Sequence, residues 1–88
     1  MNQTFYIISE YGLHARPATK LVNIAMAFKS EIHLTWEDKT INLKSIMGLM
    51  SLGIYQGQPI SIETEGPDAY AALEALSTFM IQESLAKK

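Results

Sequence analysis

Two side chains suited to handling phosphate lie close together near the amino terminus. His14 and Arg16 fall within the segment from Gly12 to Ala18, just before a run of apolar residues with helical spacing. The first amides of a helix have no partner within it, and with the helix dipole they attract anions. An arginine adds a planar set of donors that suits phosphoryl oxygens, and the positive surroundings should favour a neutral imidazole. We therefore expect His14 to attack phosphorus and Arg16 to hold the transferred group.

The same two residues also have a simpler interpretation. A histidine at a junction between a loop and a helix is usually a solvated surface residue, and an arginine close to it is usually solvated too. Short motifs are weak evidence by themselves. Spacing alone therefore leaves both interpretations open.

A second candidate, Ser45, precedes a short apolar segment that extends from Ile46 to Met50. Serine is a preferred N-cap residue, and a phosphate at this position would be stabilised by the helix dipole by about 0.3–1 kcal/mol. The commoner fate of such a residue is an unmodified cap. Some of the apolar side chains must pack inward, but Met47 and Leu49 are candidates for an exposed docking patch.

The composition excludes several other kinds of protein. The chain has 88 residues, of which 48% are apolar and 18% charged, which predicts one globular domain over residues 1–88. No cysteine is present, so a thiolate nucleophile and a cysteine-type zinc site are excluded. Only two histidines occur, His14 and His33, and they lie far apart in the sequence. We therefore expect no metal site and no cofactor.

Charge and hydropathy indicate which partners and which cellular compartment to expect for the protein. The net charge of −2 argues against a nucleic-acid binder, which would normally carry a basic face. No apolar run is long enough to cross a membrane, and the chain does not start with a secretory signal. A cytoplasmic protein without membrane insertion is expected.

The hydropathy pattern predicts the element order βαββαβα. Strands in one sheet with every helix on one face would give an α+β, open-faced sandwich. The segments that carry this pattern are a strand at Thr4–Ile8, a helix from Ala18 to Phe28 with Pro17 at its start, strands around Ile32–Trp36 and Ile41–Leu43, a short helix at Ile46–Ser51, a strand at Ile60 and Ile62 opened by Pro59, and a helix capped by Asp68 with Ala72, Leu73, Leu76, Phe79 and Met80 on its inner face.

Two segments resemble the signatures of a known family. The octapeptide from Gly12 to Thr19, Gly-Leu-His-Ala-Arg-Pro-Ala-Thr, resembles the active-site signature of HPr, the histidine-containing phosphocarrier family of the bacterial sugar phosphotransferase system. The segment from Asn42 to Gly53 resembles the second signature of that family, in the form found in Gram-positive bacteria with low genomic G+C. The similarity covers essentially the whole chain, and it implies an open-faced β-sandwich with a four-stranded antiparallel sheet and three helices.

The resemblance also implies a function. His14 would be phosphorylated on Nδ1 by the phosphohistidine of enzyme I and would pass the group to a histidine of a sugar-specific enzyme IIA. Arg16 would steady the phosphoryl group and Pro17 would shape the helix entrance, so that the protein is a transiently phosphorylated carrier and not a turnover enzyme. The resemblance also implies a surface that binds the partner proteins. In this chain it would comprise Ala15, Thr19, Lys20, Ile46, Met47, Leu49 and Met50.

Ser45 corresponds by resemblance to a regulatory site. In similar proteins this serine is phosphorylated by the HPr kinase/phosphorylase, and the product disfavours enzyme I and acts as a corepressor with the catabolite control transcription factor. One departure lies next to the candidate nucleophile, because Tyr11 stands where similar proteins often have a small polar residue.

Two other classes of protein compete with the carrier as interpretations of the sequence. A purely regulatory HPr-like binding module would keep the serine and lack the histidine, and the presence of His14 and Arg16 argues against it. An RNA-binding or structural α+β domain is disfavoured by the acidic balance and by the absence of a basic aromatic platform.

Overall fold

One antiparallel sheet supports the whole molecule, and the helices cover one of its faces. The computed structural model describes all residues, 1–88. The sheet order is β3-β2-β4-β1-β5, and every pairing is antiparallel. The elements are β1 (Asn2–Ile7), α1 (Ala15–Met26), β2 (Glu31–Trp36), β3 (Lys39–Asn42), α2 (Ile46–Met50), β4 (Pro59–Glu65), α3 (Ala69–Gln82) and β5 (Ala86–Lys87).

This architecture confirms the predicted α+β, open-faced sandwich with three helices, but the predicted number of four strands was wrong. The fifth strand, β5, spans only two residues and pairs with Tyr6 and Ile7 of β1. Two residues are too few to show the alternation of apolar and polar side chains by which a strand is recognised in a sequence.

Alternating burial along the strands places the core on the helix-covered face. In β2, Ile32, Leu34 and Trp36 are buried, while His33 on the opposite face is half-buried. The same alternation in β1 and β4 and the inner faces of α1 and α3 complete the core. The large side chains that are fully buried include Phe5, Ile7, Leu21, Ile60, Ile62, Leu76 and Met80.

Helix α1 begins three residues earlier than the apolar spacing predicted. His14 occupies the N-cap in an extended conformation, with φ −83° and ψ 175°, and its carbonyl accepts a hydrogen bond from the Ala18 amide at 3.0 Å. Pro17 is therefore the third helical residue. Its missing N–H costs nothing there, because first-turn amides have no partner within the helix. The helix ends at Met26, before the predicted end at Phe28.

Asp68 precedes α3 as predicted, but its side chain does not cap that helix. Instead the carboxylate accepts hydrogen bonds from the amides of Lys29 and Ser30, at 3.0 and 2.9 Å, and from the Ser30 hydroxyl at 2.5 Å. These bonds join the loop after α1 to the loop before α3, so Asp68 connects two segments that are distant in sequence. None of the three helices combines the length and the hydropathy that a membrane-spanning helix requires.

Candidate functional site

The loop that leads into α1 is held in place at Gly12 and Leu13. The Gly12 amide donates to the Ser9 carbonyl at 2.9 Å, and the Leu13 amide donates to the Ile54 carbonyl at 3.0 Å, while the Leu13 side chain is buried. Gly12 has φ +66°, and a Cβ at this position would collide with the Ile54 carbonyl oxygen. Only glycine fits here, so the loop delivers the next residue but one, His14, to the start of α1.

The His14 residue is exposed, but its Nδ1 makes no hydrogen bond with the amides of α1. Nδ1 lies 3.2 Å from the Gly12 carbonyl oxygen, and the side chain makes no capping hydrogen bond. A carbonyl oxygen can only accept, so in this orientation Nδ1 donates the hydrogen bond and the lone pair of the neutral ring lies on Nε2. The sequence predicts an imidazole at the start of a helix. The structure shows in addition that Nδ1 of this imidazole is hydrogen-bonded to the loop.

A small open pocket brings four of the predicted site residues together. Its volume is about 170 Å³, and the sequence pointed to the part of it that α1 contributes. The remaining wall was missed, because Glu83 at the end of α3 is brought there only by the tertiary fold and had no visible partner in the sequence. The pocket is lined by Ser9, His14, Arg16, Pro17, Lys20, Glu83 and Leu85.

The start of α1 offers a concentrated set of donors for an anion. The amides of Ala15 and Arg16 make no hydrogen bond within the chain, and Pro17 has no N–H. Arg16 and Lys20, one turn apart and both exposed, add two positive charges at the positive end of the helix dipole. Thr19 contributes less, because its hydroxyl donates to the Ala15 carbonyl at 2.8 Å. The arrangement suits a small dianion that is reached from solvent.

The second candidate region, α2, is capped as predicted. The Ser45 Oγ accepts a hydrogen bond from the Gly48 amide at 3.1 Å, and Ser45 is half-buried. The Met47 side chain is 82% exposed, whereas Ile46 and Met50 are exposed to a smaller extent. Leu49 is only 2% exposed, so the prediction that it forms part of a docking patch was wrong: its position on this short helix points it into the core.

Comparisons with known proteins settle the family. The PTS-HPr family model, described as the PTS HPr component phosphorylation site, matches residues 1–82. The chain belongs to the PTS-HPr family. A histidine-containing phosphocarrier protein from Mycoplasma is 38% identical, with 100% of both chains covered and a TM-score of 0.96. The phosphocarrier protein HPr from Bacillus anthracis is 44% identical, with 90% of this chain and 94% of that chain covered and a TM-score of 0.83.

A third similar structure is of a protein named for catabolite repression. Crh, the catabolite repression HPr of Bacillus subtilis, is 38% identical over 90% of this chain and 94% of that chain, with a TM-score of 0.65. The family and the similarity to solved HPr proteins support a phosphocarrier of the phosphotransferase system, which interacts with the enzymes of that system.

Proposed function

We propose that this chain, as one carrier domain over residues 1–88, accepts a phosphoryl group on His14 from phospho-enzyme I and donates it to enzyme IIA. The observation that carries this proposal is the open pocket in which an exposed imidazole shares a wall with Arg16 and Lys20 at the start of α1. The exposure matters because both partners must reach the same nitrogen. A deep pocket would hold the group too firmly to hand it on.

The proposed transfer needs only the two imidazoles. The Nδ1 lone pair of neutral His14 attacks the phosphorus of the phosphohistidine on enzyme I, and the P–N bond on enzyme I breaks as the new one forms. The electron pair of the broken bond stays on the enzyme I nitrogen, and His14 keeps its proton on Nε2. Because Nδ1 contacts the Gly12 carbonyl in the resting orientation, the ring must first turn, release the Nδ1 proton to water and take one up on Nε2.

The surrounding residues have separate proposed roles in this step. The Arg16 guanidinium donates to the phosphoryl oxygens with the planar geometry that suits them. Pro17 shapes the first turn of α1. The free amides of Ala15 and Arg16 add hydrogen-bond donors for the phosphoryl group. The exposed side chains Ala15, Thr19, Lys20, Ile46, Met47 and Met50 form the proposed docking surface for both partners.

A regulatory role is proposed for Ser45. Phosphorylation by the HPr kinase/phosphorylase would place a dianion at the start of α2, beside the exposed Met47. The added charge would alter that docking surface, weakening enzyme I binding and favouring the catabolite control transcription factor. The similarity to Crh supports this role as an addition to the carrier function, and a purely regulatory module remains the alternative that the labelling experiment excludes or supports.

The decisive experiment is labelling from phosphoenolpyruvate. Incubation with enzyme I, magnesium and labelled phosphoenolpyruvate should give an acid-labile label in the wild type and in Ser45→Ala, and none in His14→Ala. His33→Ala is the matched control, because it removes the other histidine of the chain and should keep the label. An unlabelled wild type would remove the carrier function and leave the regulatory module.

The regulatory site is tested separately with ATP and HPr kinase. The wild type should acquire an acid-stable label that Ser45→Ala lacks, whereas Ser51→Ala, which removes an exposed serine at the other end of α2, should keep it. Label that persists in Ser45→Ala would show that another residue is modified.

A further inference from the structure

The ring of Tyr11 packs against the ring of His14. Their centroids are 5.8 Å apart and their planes meet at 67°, an edge-to-face arrangement of the kind that aromatic pairs prefer. Tyr11 is 74% exposed, so its ring is not part of the core. A large aromatic ring exposed to this extent and placed beside a candidate nucleophile invites the question of what it does there.

The backbone between the two rings leaves little freedom in how they meet. The Tyr11 amide donates to the Ser9 hydroxyl at 3.3 Å, and the Gly12 amide donates to the Ser9 carbonyl. Leu13 is buried and bonded to Ile54, so the loop cannot slide. The rings therefore face each other across a fixed turn, and rotation of either side chain is the motion that separates them.

Two contacts together hold the His14 ring in one orientation. The Gly12 carbonyl accepts from Nδ1, and the Tyr11 ring lies against the imidazole. In that orientation Nδ1 is protonated and cannot attack phosphorus. Any contact that stabilises it therefore lowers the fraction of molecules that are ready to accept a phosphoryl group.

We propose that Tyr11 is a positioning residue that holds His14 in a resting orientation with its Nδ1 on the Gly12 carbonyl, and thereby slows phosphoryl acceptance at Nδ1. This inference rests on the proposed carrier function of His14.

The expected effect is moderate. An edge-to-face aromatic pair contributes about 0.5–1.5 kcal/mol, so its loss should change the ratio of the two imidazole tautomers by about two- to tenfold. The maximal rate of phosphoryl acceptance should rise by a similar factor in Tyr11→Ser, with the KM for phospho-enzyme I unchanged. Tyr11→Phe keeps the ring and should behave like the wild type.

The test combines a spectroscopic and a kinetic measurement on the full chain. The ¹⁵N chemical shifts of the His14 ring, recorded where the ring is neutral, report which nitrogen carries the proton, and the initial rates of labelling from phospho-enzyme I give the maximal rate and KM. Tyr70→Ser is the matched control, because Tyr70 is also a strongly exposed tyrosine, at 64%. It is far from the His14 pocket, since it lies 13 residues before the pocket residue Glu83, a distance of about 20 Å along a helix.

The outcomes separate this inference from the carrier function. A lower Nδ1–H population and a faster maximal rate in Tyr11→Ser, with Tyr11→Phe and Tyr70→Ser unchanged, would support it. An unchanged tautomer ratio in Tyr11→Ser would overturn it, and so would a change confined to KM, since Tyr11 would then contact the partner and not position the ring. In both of these cases the wild type would still be labelled on His14, whereas failure of the carrier function would leave the wild type unlabelled.

Discussion

At the scale of single residues, Gly12 meets two demands that no other residue type satisfies at its position. Its φ of +66° lies in the left-handed region, and its missing Cβ leaves room for the Ile54 carbonyl. Its own carbonyl is the acceptor for His14 Nδ1. The conformation and the close approach both serve to place the histidine.

Replacing Gly12 separates these two demands when Gly53 serves as the control. Gly53 also has a left-handed φ, +68°, but no atom lies near the position of its missing Cβ. We expect Gly53→Ala to lower the free energy of unfolding by about 1–2 kcal/mol from backbone strain alone. Gly12→Ala should cost about 1–3 kcal/mol more, because the Ile54 backbone must shift as well. Urea denaturation measures both, and equal losses would show that the collision is relieved without cost.

Arg16 is expected to act through its geometry as well as its charge. Lysine keeps the charge but presents a compact ammonium group in place of the planar set of donors. Arg16→Lys should therefore slow labelling of His14 from phospho-enzyme I about tenfold, the effect of about 1.4 kcal/mol, which is close to one hydrogen bond with a charged group. Arg16→Ala should slow it further. Initial labelling rates measure this, and a lysine variant as fast as the wild type would leave charge as the sole contribution.

At the scale of elements, α2 depends on its cap because it is too short to be stable alone. It has five residues, and the Ser45 Oγ accepts from the Gly48 amide at its first turn. Helices shorter than about 12 residues are marginal in water, so capping and the burial of Leu49 must hold this one. The same hydroxyl is the proposed site of regulatory phosphorylation, which couples the stability of the element to its modification.

Variants at Ser45 should separate the capping role from the hydroxyl itself. Ser45→Ala removes the acceptor and should lower stability by about 1 kcal/mol, or the Tm by about 4–8 °C. Ser45→Asp keeps an acceptor and adds a charge that the helix dipole favours, so its stability should stay within about 0.5 kcal/mol of the wild type. Thermal unfolding followed by circular dichroism tests this. Ser51→Ala, which loses an exposed bond to the Gly48 carbonyl at the other end of α2, is the control and should cost less.

The elements also show how far the sequence predicts this fold. Strong periodicity located α1, α3, β2 and β4. The turn between β2 and β3 was not defined by the sequence, because Glu37 adopts a positive φ of +56°, a conformation that a glutamate side chain disfavours. Strand β5 was missed because its partner in the sheet lies about 80 residues earlier, so that only tertiary pairing defines it.

The candidate site, like the fold, could be predicted from the sequence only in part. His14 and Arg16 were recognisable because their chemistry and their spacing from a helix start are local properties. The bond from Nδ1 to the Gly12 carbonyl was not, since it depends on the rotamer that the loop imposes. Glu83 was not recognised either, because it follows α3 and lies about 70 residues from His14 in the sequence, so that only the tertiary fold brings it to the pocket.

At the scale of the whole molecule, Asp68 connects the loop after α1 to the loop before α3. Hydrogen bonds from the Ser30 hydroxyl and from the Lys29 and Ser30 amides lower the pKa of Asp68 from 3.8 to about 2. Gly66 lies against Ser30 in the same contact, so the loops interlock tightly. This connection links the stability of the fold to the protonation of the Asp68 carboxylate.

The pH dependence of stability should reveal this link. Because the unfolded chain takes up the proton at its ordinary pKa near 3.8 and the folded protein only near 2, the stabilisation is complete above about pH 4 and is lost as the pH falls towards 2. Asp68→Asn should unfold more easily at neutral pH and should lose less stability than the wild type between pH 4 and 2. Asp38→Asn, in the exposed turn after β2, is the control and should keep the wild-type slope. Urea denaturation at a series of pH values measures these slopes, and an Asp68→Asn curve parallel to that of the wild type would mean that the acid sensitivity of the fold arises from other carboxylates.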